Sequence, residues 1–434
     1  MSERAEPNAH LPALDGLRGV AILLVLGSHL SERYMFIPHP WRICTIILFA
    51  GWTGVDLFFV LSGFLITGIL WESRKAKHYF RNFYMRRILR LSPIYYVTLI
   101  LLCVFFPLIL SHTGAYHVPT GLQRALSEAG TPSAYWLWFF TYSVDFLIAY
   151  KGFVFASHFW SLAVEEHFYL AWPLLTHKLR HSTLIRVACA IFIGTLLFRI
   201  SFYCLLTPAA IYTLTPCRMD AISLGACIAL IFRTKNGTGV LHSAVRTIFP
   251  VLLILCFGIG LYYRGWYQYG FFQQTAGYSL TALLYASVLT MTLTEQSWSN
   301  FFAHKFLRFF GKYSYALYVI HVFVFHFFRP LFALGETGKL SLVASFCARV
   351  APSILSMPVL LVWLDGIGYA AAALGVSILA ALISWRFIES PFLALKIRFP
   401  YEEHRNSTGG ELVGSLVEKA GAVQDADGRQ QRNF

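Results

Sequence analysis

The chain has 434 residues, of which 57% are hydrophobic, 17% aromatic and only 13% charged. Ordinary soluble domains carry about a quarter charged residues, so this composition excludes a soluble globular protein and points to lipid as the main solvent. The net charge of +14 does not indicate nucleic-acid binding, because Lys and Arg lie between apolar segments. The eight cysteines form no C-x-x-C or His/Cys cluster, so no metal site and no disulfide framework are indicated.

Long apolar segments predict an all-α integral membrane protein with about ten transmembrane helices in one bundle. The spans are predicted near residues 14–32, 53–71, 93–111, 158–176, 187–206, 218–232, 247–263, 272–293, 314–331 and 366–388. Two further apolar stretches, 135–148 and 342–363, contain Asp145 or Pro352 and Pro358. These interruptions predict re-entrant or interfacial segments. The N-terminus lacks a cleavable signal, so the first span is expected to be retained.

The distribution of basic residues predicts the orientation. Seven lie in the segment 72–92: Arg74, Lys75, Lys77, Arg81, Arg86, Arg87 and Arg90. Because Lys and Arg accumulate in cytoplasmic loops, this segment and both termini are predicted to be cytoplasmic, and 33–52, 112–157 and 332–365 to face outward. We therefore expect a multi-pass protein of the cytoplasmic (inner) membrane.

The first span carries Arg18 and His29, eleven positions apart. Eleven steps are about three helical turns, so both side chains share one face, roughly 16 Å apart along the axis. An ionisable residue inside a membrane indicates a functional site, although His29 could also be a packing residue hydrogen-bonded to a neighbour. Arg18 could equally be an interfacial anchor that extends to the lipid headgroups.

Further polar groups fall on other spans. Arg86, Arg87 and Arg90 follow one another around a helical turn and could bind the phosphates of a nucleotide-bearing donor, or could simply be the basic residues of a cytoplasmic loop. Glu165 and Glu166 lie at a depth similar to His29, where a structural pairing with Arg or His is the alternative to catalysis. Other intramembrane or boundary groups are Asp56, Arg218, Asp220 and His321, each of which alone is more typical of helix packing.

The motifs around these residues resemble acyltransferase family 3, the membrane O-acyltransferases that modify bacterial surface polysaccharides and related glycosides. The resemblance runs from Leu14 to about Leu393. It rests on LDGLRGVAILLVLGSH, GVDLFFVLSGFLIT, RRILRLSPIYY, HFWSLAVEEHFYLAWPLL, RMDAISLGACIA, GKYSYALYVIH and WRFIESPF, which occur in the family's order. It implies a transmembrane domain at 14–393 between a cytoplasmic segment, 1–13, and a mostly disordered cytoplasmic tail, 394–434.

The resemblance also implies roles for individual residues. Arg18 and His29 would be the essential pair, and Asp56 and Glu166 would support them. The arginines of the basic run would lie on the side of the acyl-coenzyme A donor, with no cofactor held permanently. His167 replaces the Gln that is common in the family, which changes how Glu166 is held. Some relatives carry a C-terminal esterase-like domain, so a separate extracytoplasmic partner protein is expected to act with this chain.

The predicted reaction transfers an acyl group from cytoplasmic acyl-coenzyme A to a hydroxyl of an extracytoplasmic carbohydrate or glycosylated acceptor. Acetyl is the favoured acyl group. His29, whose unperturbed pKa of about 6.5 suits a general base, would take the hydroxyl proton. A covalent acyl-His29 intermediate is an open variant. The main rival is a transporter that exports a glycoside or lipid-linked sugar, since helices with charges at the midplane also form translocation pathways. A sensory or structural membrane protein would leave the co-occurrence of Arg18, His29 and Glu166 unexplained.

Overall fold

The computed structural model describes residues 11–32, 42–102, 135–154, 156–328 and 358–401. Within these ranges the chain is helical with connecting turns and contains no strand. The predictions for most of 112–157 and 332–365, for residues 1–10 and for the tail from 402 onward lie outside the described residues.

Sixteen α-helices form the described part of the chain. They are α1 (Pro12–Glu32), α2 (Arg42–Phe49), α3 (Gly54–Ser73), α4 (Tyr79–Ile100), α5 (Trp136–Phe140), α6 (Val144–Lys151), α7 (Trp160–Lys178), α8 (His181–Phe202), α9 (Pro208–Thr213), α10 (Thr215–Ile231), α11 (Gly237–Tyr262), α12 (Tyr278–Thr294), α13 (Gln296–Phe302), α14 (Lys305–Phe328), α15 (Pro358–Ser384) and α16 (Ser390–Ala394). Short 3-10 segments precede α3 and α7 and follow α16, and π-helical turns precede α12 and follow α15.

Seven helical segments in the described ranges are long and apolar enough to cross a membrane. They are Pro12–Glu32, Ile43–Ser73, His181–Phe202, Pro208–Ile231, Gly237–Tyr262, Gln273–Thr294 and Gly366–Arg398. Three further long helices, α4, α7 and α14, carry the basic run, the two glutamates and His321. The prediction of an all-helical integral membrane protein is therefore confirmed, with seven candidate spans in the described ranges.

The boundaries of several predicted spans are corrected by the structure. The basic run was expected in a loop, but α4 begins at Tyr79 and includes all three arginines, with Pro93 inside the helix. Likewise α14 begins at Lys305, nine residues before the predicted span. Charged side chains lower hydropathy without breaking a helix, so the apolar stretch marks only part of each helix. The predicted segment 135–148 forms two helices of five and eight residues, too short to cross.

Glycines bring α1 into backbone contact with α14 and with the end of α13. A Cβ at Gly16 would lie 1.6 Å from the carbonyl oxygen of Phe302, the last residue of α13, and a Cβ at Gly19 would lie 2.0 Å from that of Leu307 in α14. Small residues at such positions let membrane helices approach closely. The starts of the two helices meet here, and His29 contacts His321 farther along, so α1 and α14 run parallel.

A second parallel pair, α3 and α10, packs in the same way. Gly63 lies against the backbone of Ile222, and Gly225 lies against that of Val60. Asp56 and Arg218 pair near the starts of these helices. The two glycine-packed pairs form the frame on which the polar side chains are placed.

Candidate active site

A cavity opens between α1, α3, α4, α7 and α14, and polar side chains occupy both of its ends. Those that line it include Arg18, Ser62, Arg87, Arg90, Ser161, Glu165, Tyr169, Ser314, Tyr315 and Tyr318. Tyr169 and Ser161 lie eight residues apart on α7, which corresponds to about 12 Å of helix. We call the part near Tyr169, with Arg18, Arg87 and Arg90, the arginine end, and the part near Ser161 and Tyr318 the tyrosine end.

Arg18 faces the cavity from the first turns of α1. Its guanidinium pairs with Asp15 at 3.1 Å, and its side chain is 24% exposed. The backbone contact at Gly16 and Gly19 holds this turn of α1 against α14. Arg18 is therefore a cavity residue, and a role as a headgroup anchor on the lipid face does not fit this position.

Glu165 is the acidic residue of the cavity. Its carboxylate accepts hydrogen bonds from Ser62 at 2.6 Å and from Tyr169 at 3.1 Å. Arg87 and Arg18 lie within electrostatic range of it. Glu166 does not line the cavity; it lies within electrostatic range of Arg87, on the side of Tyr96 and Tyr142. The structure thus brings Glu165, and not Glu166, to the cavity.

The three arginines of the basic run divide into two groups. Arg87 and Arg90 line the arginine end. Arg86 instead donates to the carbonyl oxygens of Lys396 and Phe399, at 3.1 and 3.0 Å. Its guanidinium also lies 4.5 Å from the centre of the Tyr401 ring. Arg86 therefore fixes the segment after α16 against α4.

That segment also brings an amine to the arginine end. Lys396 lies within electrostatic range of Arg18, Arg87 and Arg90. Asn82 donates to the carbonyl oxygen of Pro400 at 2.7 Å and gives the segment a second attachment to α4. The first residues of the predicted tail are thus packed against the bundle beside the arginine end.

Beyond the tyrosine end, three imidazoles form a histidine cluster: His29, His158 and His321. The ring of His321 lies 5.1 Å from that of His29 and 5.6 Å from that of His158, centre to centre. His29 is the open member, with 37% of its side chain exposed and its Nδ1 3.6 Å from Glu32. The structure therefore brings His29 and His321 together, while Arg18 lies in the cavity and His29 outside it.

Hydrogen bonding fixes the tautomers of the two buried histidines. The Nδ1 of His321 contacts the carbonyl oxygens of Leu317 and Tyr318 at 2.9 and 2.8 Å, so this nitrogen carries the proton. His158 donates from Nε2 to the carbonyl oxygen of Val319 at 3.4 Å. Its Nδ1 and the Nε2 of His321 have no hydrogen-bond partner among the described residues. Both rings thus present an unprotonated nitrogen.

Tyr318 separates the cavity from the histidine cluster. Its hydroxyl lies 2.5 Å from the hydroxyl of Ser161 and donates to the carbonyl oxygen of His158 at 2.8 Å. Its ring lies 5.8 Å from that of His321. The tyrosine end of the cavity is therefore one side chain away from the cluster.

The remaining predicted site residues form a buried ionic network away from the cavity. Arg218 pairs with Asp56 at 2.5 Å, and Arg199 pairs with Asp220 at 2.8 Å. All four side chains are completely buried. Arg218 also lies 4.2 Å from the centre of the Tyr278 ring. Because oppositely charged side chains pair here, they support the helix packing, and none of the four lines the cavity.

His167 belongs to another structural contact. Its Nδ1 lies 2.7 Å from the Thr215 hydroxyl and 3.8 Å from Asp145. Thr215 in turn donates to Asp145 at 2.9 Å. His167 therefore joins α6, α7 and α10 through Thr215 and Asp145, and its ring does not hold Glu166 in position. Among the residues that the structure describes, no group of three or more His, Cys, Asp or Glu side chains could hold a metal ion.

Several cavity residues, among them Ser161, Tyr169, Ser314 and Tyr318, were not predicted from the sequence, although helical spacing contains a signal for them. Ser161 and Tyr169 share one face of α7 with Glu165, at i, i+8 and i+4. Ser314 and Tyr318 share one face of α14 with His321, at i, i+4 and i+7. Polar residues that repeat on one face of a membrane helix indicate a lined cavity better than single ionisable residues do.

Comparison with known proteins identifies sequences that are similar to this chain. The model of acyltransferase family 3, described as an acyltransferase domain, matches residues 11–385. The peptidoglycan O-acetyltransferase of Listeria monocytogenes is 27% identical, over 88% of this chain and 56% of its own length. A Staphylococcus aureus protein named as a candidate O-acetyltransferase is 26% identical, over 88% and 57% respectively. This chain spans a little over half the length of these relatives, and no solved structure matches it.

Proposed function

Because this chain belongs to acyltransferase family 3, we propose that it is a membrane O-acetyltransferase that moves an acetyl group from cytoplasmic acyl-coenzyme A to a hydroxyl of an extracytoplasmic glycan. The observation that carries the proposal is the cavity, which begins among Arg18, Arg87 and Arg90 and ends at Tyr318 beside the histidine cluster. Cations suit a phosphorylated donor, and an open imidazole suits a hydroxyl acceptor. The names of the relatives favour a peptidoglycan-like acceptor.

In the proposed topology, α4, α7 and α14 join the seven candidate spans to make ten crossings in one bundle. Ten alternating crossings account for the parallel pairs, because α1 and α14 become the first and ninth spans and α3 and α10 the second and sixth. Because basic residues accumulate on the cytoplasmic side, those of α4 support an orientation with the arginine end and both termini in the cytoplasm and the histidine cluster near the outer surface. The protein would lie in the cytoplasmic membrane.

The donor would bind with its phosphates at the arginine end. Arg87 and Arg90 line the cavity there, and the Lys396 amine lies near them. The pantetheine arm would extend along α7 past Glu165 toward Tyr318, so that the thioester reaches the outer half of the bundle. The nucleotide itself would stay in the cytoplasm.

The transfer step would form one bond and break one. The acceptor oxygen attacks the thioester carbonyl carbon, its proton passes to His29, and the carbon–sulfur bond breaks with release of coenzyme A. His29 then returns the proton to the leaving sulfur. The hydroxyls of Ser161 and Tyr318 lie at this end of the cavity, and either would stabilise the developing oxyanion by exchanging its present hydrogen bond for one to that oxygen.

The test is transfer by the purified full chain. Membrane vesicles or detergent-purified protein would receive acetyl-coenzyme A labelled in the acetyl group, with tetra-N-acetylchitotetraose or solubilised peptidoglycan as acceptor. We expect one free coenzyme A thiol for each acetyl ester found on the glycan by mass spectrometry. Thiol release without an acylated glycan would overturn the acceptor assignment, and glycan movement across vesicles without thiol release would indicate an exporter.

A further inference from the structure

Three aromatic rings form a cluster at the same end of the bundle as His29, which we call the aromatic platform: Phe153, Tyr212 and Tyr269. Their ring centres lie 5.8 to 6.4 Å from one another. Phe153 is 49% exposed and Tyr269 is 43% exposed, whereas Tyr212 is buried beneath them. The platform therefore has two accessible rings on a fixed base.

The base of the platform is tied to the buried ionic network. The Tyr212 ring lies 4.9 Å from the ring of Trp160 and 5.2 Å from the guanidinium of Arg218. Arg218 is itself paired with Asp56. Because these groups are buried and Arg218 is held by its ion pair with Asp56, the position of Tyr212 is set by the core of the bundle.

Two hydrogen bonds to backbone carbonyls fix the loop that contains Tyr269. Trp52 donates from Nε1 to the carbonyl oxygen of Trp266 at 2.8 Å, and Tyr278 donates to that of Gln268 at 2.6 Å. Both donors belong to rings packed around Tyr212. The exposed ring is thus preorganised, which reduces the entropy lost when a ligand binds.

The two loops that contain Phe153 and Tyr269 include residues in unfavourable backbone conformations. Of the three non-glycine residues with positive φ in the described ranges, two lie here: Ala156, at 61°, follows Phe153, and Arg264, at 54°, precedes Tyr269. Gly152, at 84°, immediately precedes Phe153. Such conformations cost free energy and tend to occur at binding sites.

Glu32 connects the platform to the histidine cluster. Its carboxylate lies 3.6 Å from Nδ1 of His29 and is 64% exposed. Ser28, one turn before Glu32 on α1, donates to the carbonyl oxygen of Phe49 at 3.0 Å, and the Phe49 ring lies 6.1 Å from that of Tyr267 in the loop that contains Tyr269. Partial burial raises the pKa of the Tyr269 phenol, and the negative charge of Glu32 raises it as well. The platform, an exposed carboxylate and His29 therefore share one end of the bundle.

We propose that the aromatic platform is the acceptor subsite, on which a pyranose ring of the glycan stacks beside Glu32 and His29. This proposal rests on the proposed function and names where its acceptor binds. The C–H faces of a pyranose pack well on aromatic rings, while its hydroxyls donate hydrogen bonds to a carboxylate. An aromatic belt at the lipid headgroups also exposes Tyr and Trp rings, but the platform rings contact one another and rest on Tyr212, whose ring lies 5.2 Å from the buried Arg218 guanidinium.

The test separates acceptor binding from donor use in the full chain. Phe153→Leu keeps an apolar side chain but loses the flat ring, and Tyr269→Ala removes the ring entirely. Since stacking of one aromatic ring is worth about tenfold in affinity, we expect each change to raise the KM for tetra-N-acetylchitotetraose about tenfold while the KM for acetyl-coenzyme A stays the same. Tyr269→Phe, which keeps the ring, should have the wild-type KM for this acceptor. Phe257→Ala, which removes a 69% exposed ring from α11, is the matched control and should alter neither KM.

A direct binding measurement distinguishes this proposal from the proposed function. Saturation-transfer NMR with tetra-N-acetylchitotetraose, in the absence of donor, should show binding to the wild type and to Tyr269→Phe, and loss of binding in Tyr269→Ala. Binding without any acetyl transfer would refute the proposed function and leave the subsite in place. Transfer with an unchanged acceptor KM in both platform variants would overturn the subsite and indicate a membrane-interface belt.

Discussion

His29 differs from the other two imidazoles of the histidine cluster in its access to the surface. His158 and His321 are buried and keep their protons on nitrogens that contact backbone carbonyls. His29 is 37% exposed and lies next to Glu32. An acceptor hydroxyl can therefore reach His29 first, and the Nε2 of His321 is the nearest buried acceptor available to support it.

The first prediction concerns this difference. Replacing His29 by Gln keeps a hydrogen-bonding side chain but removes a base that works near neutral pH, so kcat should fall about 100-fold to 10,000-fold. Protein yield and thermal stability should be unchanged. His242→Gln is the control, because His242 contacts Thr294 at the other end of the bundle. Near-normal transfer by the purified His29→Gln enzyme would remove His29 from the mechanism.

The second prediction separates two neighbouring arginines. Arg87 lines the cavity, so Arg87→Gln should raise the donor KM by about tenfold or more, since a charge-assisted hydrogen bond is worth roughly 1.5 to 3 kcal/mol. Arg86 holds the carbonyls of Lys396 and Phe399, so Arg86→Gln should lower the melting temperature and change the donor KM less. Thermal unfolding and initial rates at varied acetyl-coenzyme A measure both. Equal effects of the two changes on donor KM would contradict this division.

Sequence patterns singled out the basic run as a candidate donor site but could not distinguish Arg87 from Arg86. The partners of Arg86 are backbone carbonyls about 310 residues farther along the chain, and no local pattern encodes that contact. Glu165 and Glu166 posed the same difficulty, because adjacent residues on a helix differ by about 100° in direction and only the packing of α3 and α7 decides which one meets Ser62. Arg18, by contrast, could be singled out as a candidate, because a cation inside an apolar span is unusual.

Among the helices, the contact between α1 and α14 is the least tolerant of added volume. A Cβ at Gly19 would lie 2.0 Å from the carbonyl oxygen of Leu307, so the third prediction is that Gly19→Ala separates the helices and destabilises the protein by about 1 to 3 kcal/mol. Gly194→Ala in α8 is the control, because nothing lies within 4 Å of its Cβ. Thermal unfolding in detergent should show a lower midpoint for the first variant alone. An unchanged midpoint in Gly19→Ala would mean that the two helices can move apart freely.

The buried pair between α3 and α10 leads to the fourth prediction. Asp56→Asn leaves the completely buried Arg218 without its ionic partner, which should cost about 3 to 5 kcal/mol. The double variant Asp56→Leu, Arg218→Met removes both charges and should recover much of that loss. A double variant no more stable than Asp56→Asn would argue against an ionic role for the pair.

The helices themselves were largely predictable, and their ends were not. Apolar length identified the membrane-crossing parts of α1, α3 and α11, because lipid requires an unbroken helix there. The first turns of α4 and α14 were missed, because their arginines and lysines face the cavity or the membrane boundary and lower the hydropathy on which the prediction rests. The short helices α5 and α6 depend on tertiary contacts such as the Asp145 to Thr215 hydrogen bond.

For the whole molecule, the fifth prediction tests the orientation. After removal of the native cysteines, a cysteine replacing the exposed Tyr150 should react with an impermeant thiol reagent in intact cells, because Tyr150 lies at the proposed outer end. A cysteine replacing the exposed Lys75 should react only after the cells are opened. Labelling in the reverse pattern would invert the topology and the direction of acyl movement.

The backbone contact between α1 and α14 also bears on which donors can work. Arg18 and His29 lie on one helix that is held against another, so the roughly 16 Å between them cannot shorten. Under the proposed function, the thioester must be carried across that interval by the flexible arm of its own carrier. Which donors the protein can use then depends on the length of the arm that carries the thioester. A small thioester such as S-acetyl-N-acetylcysteamine presents the same reacting group but cannot span from the arginines to the imidazole.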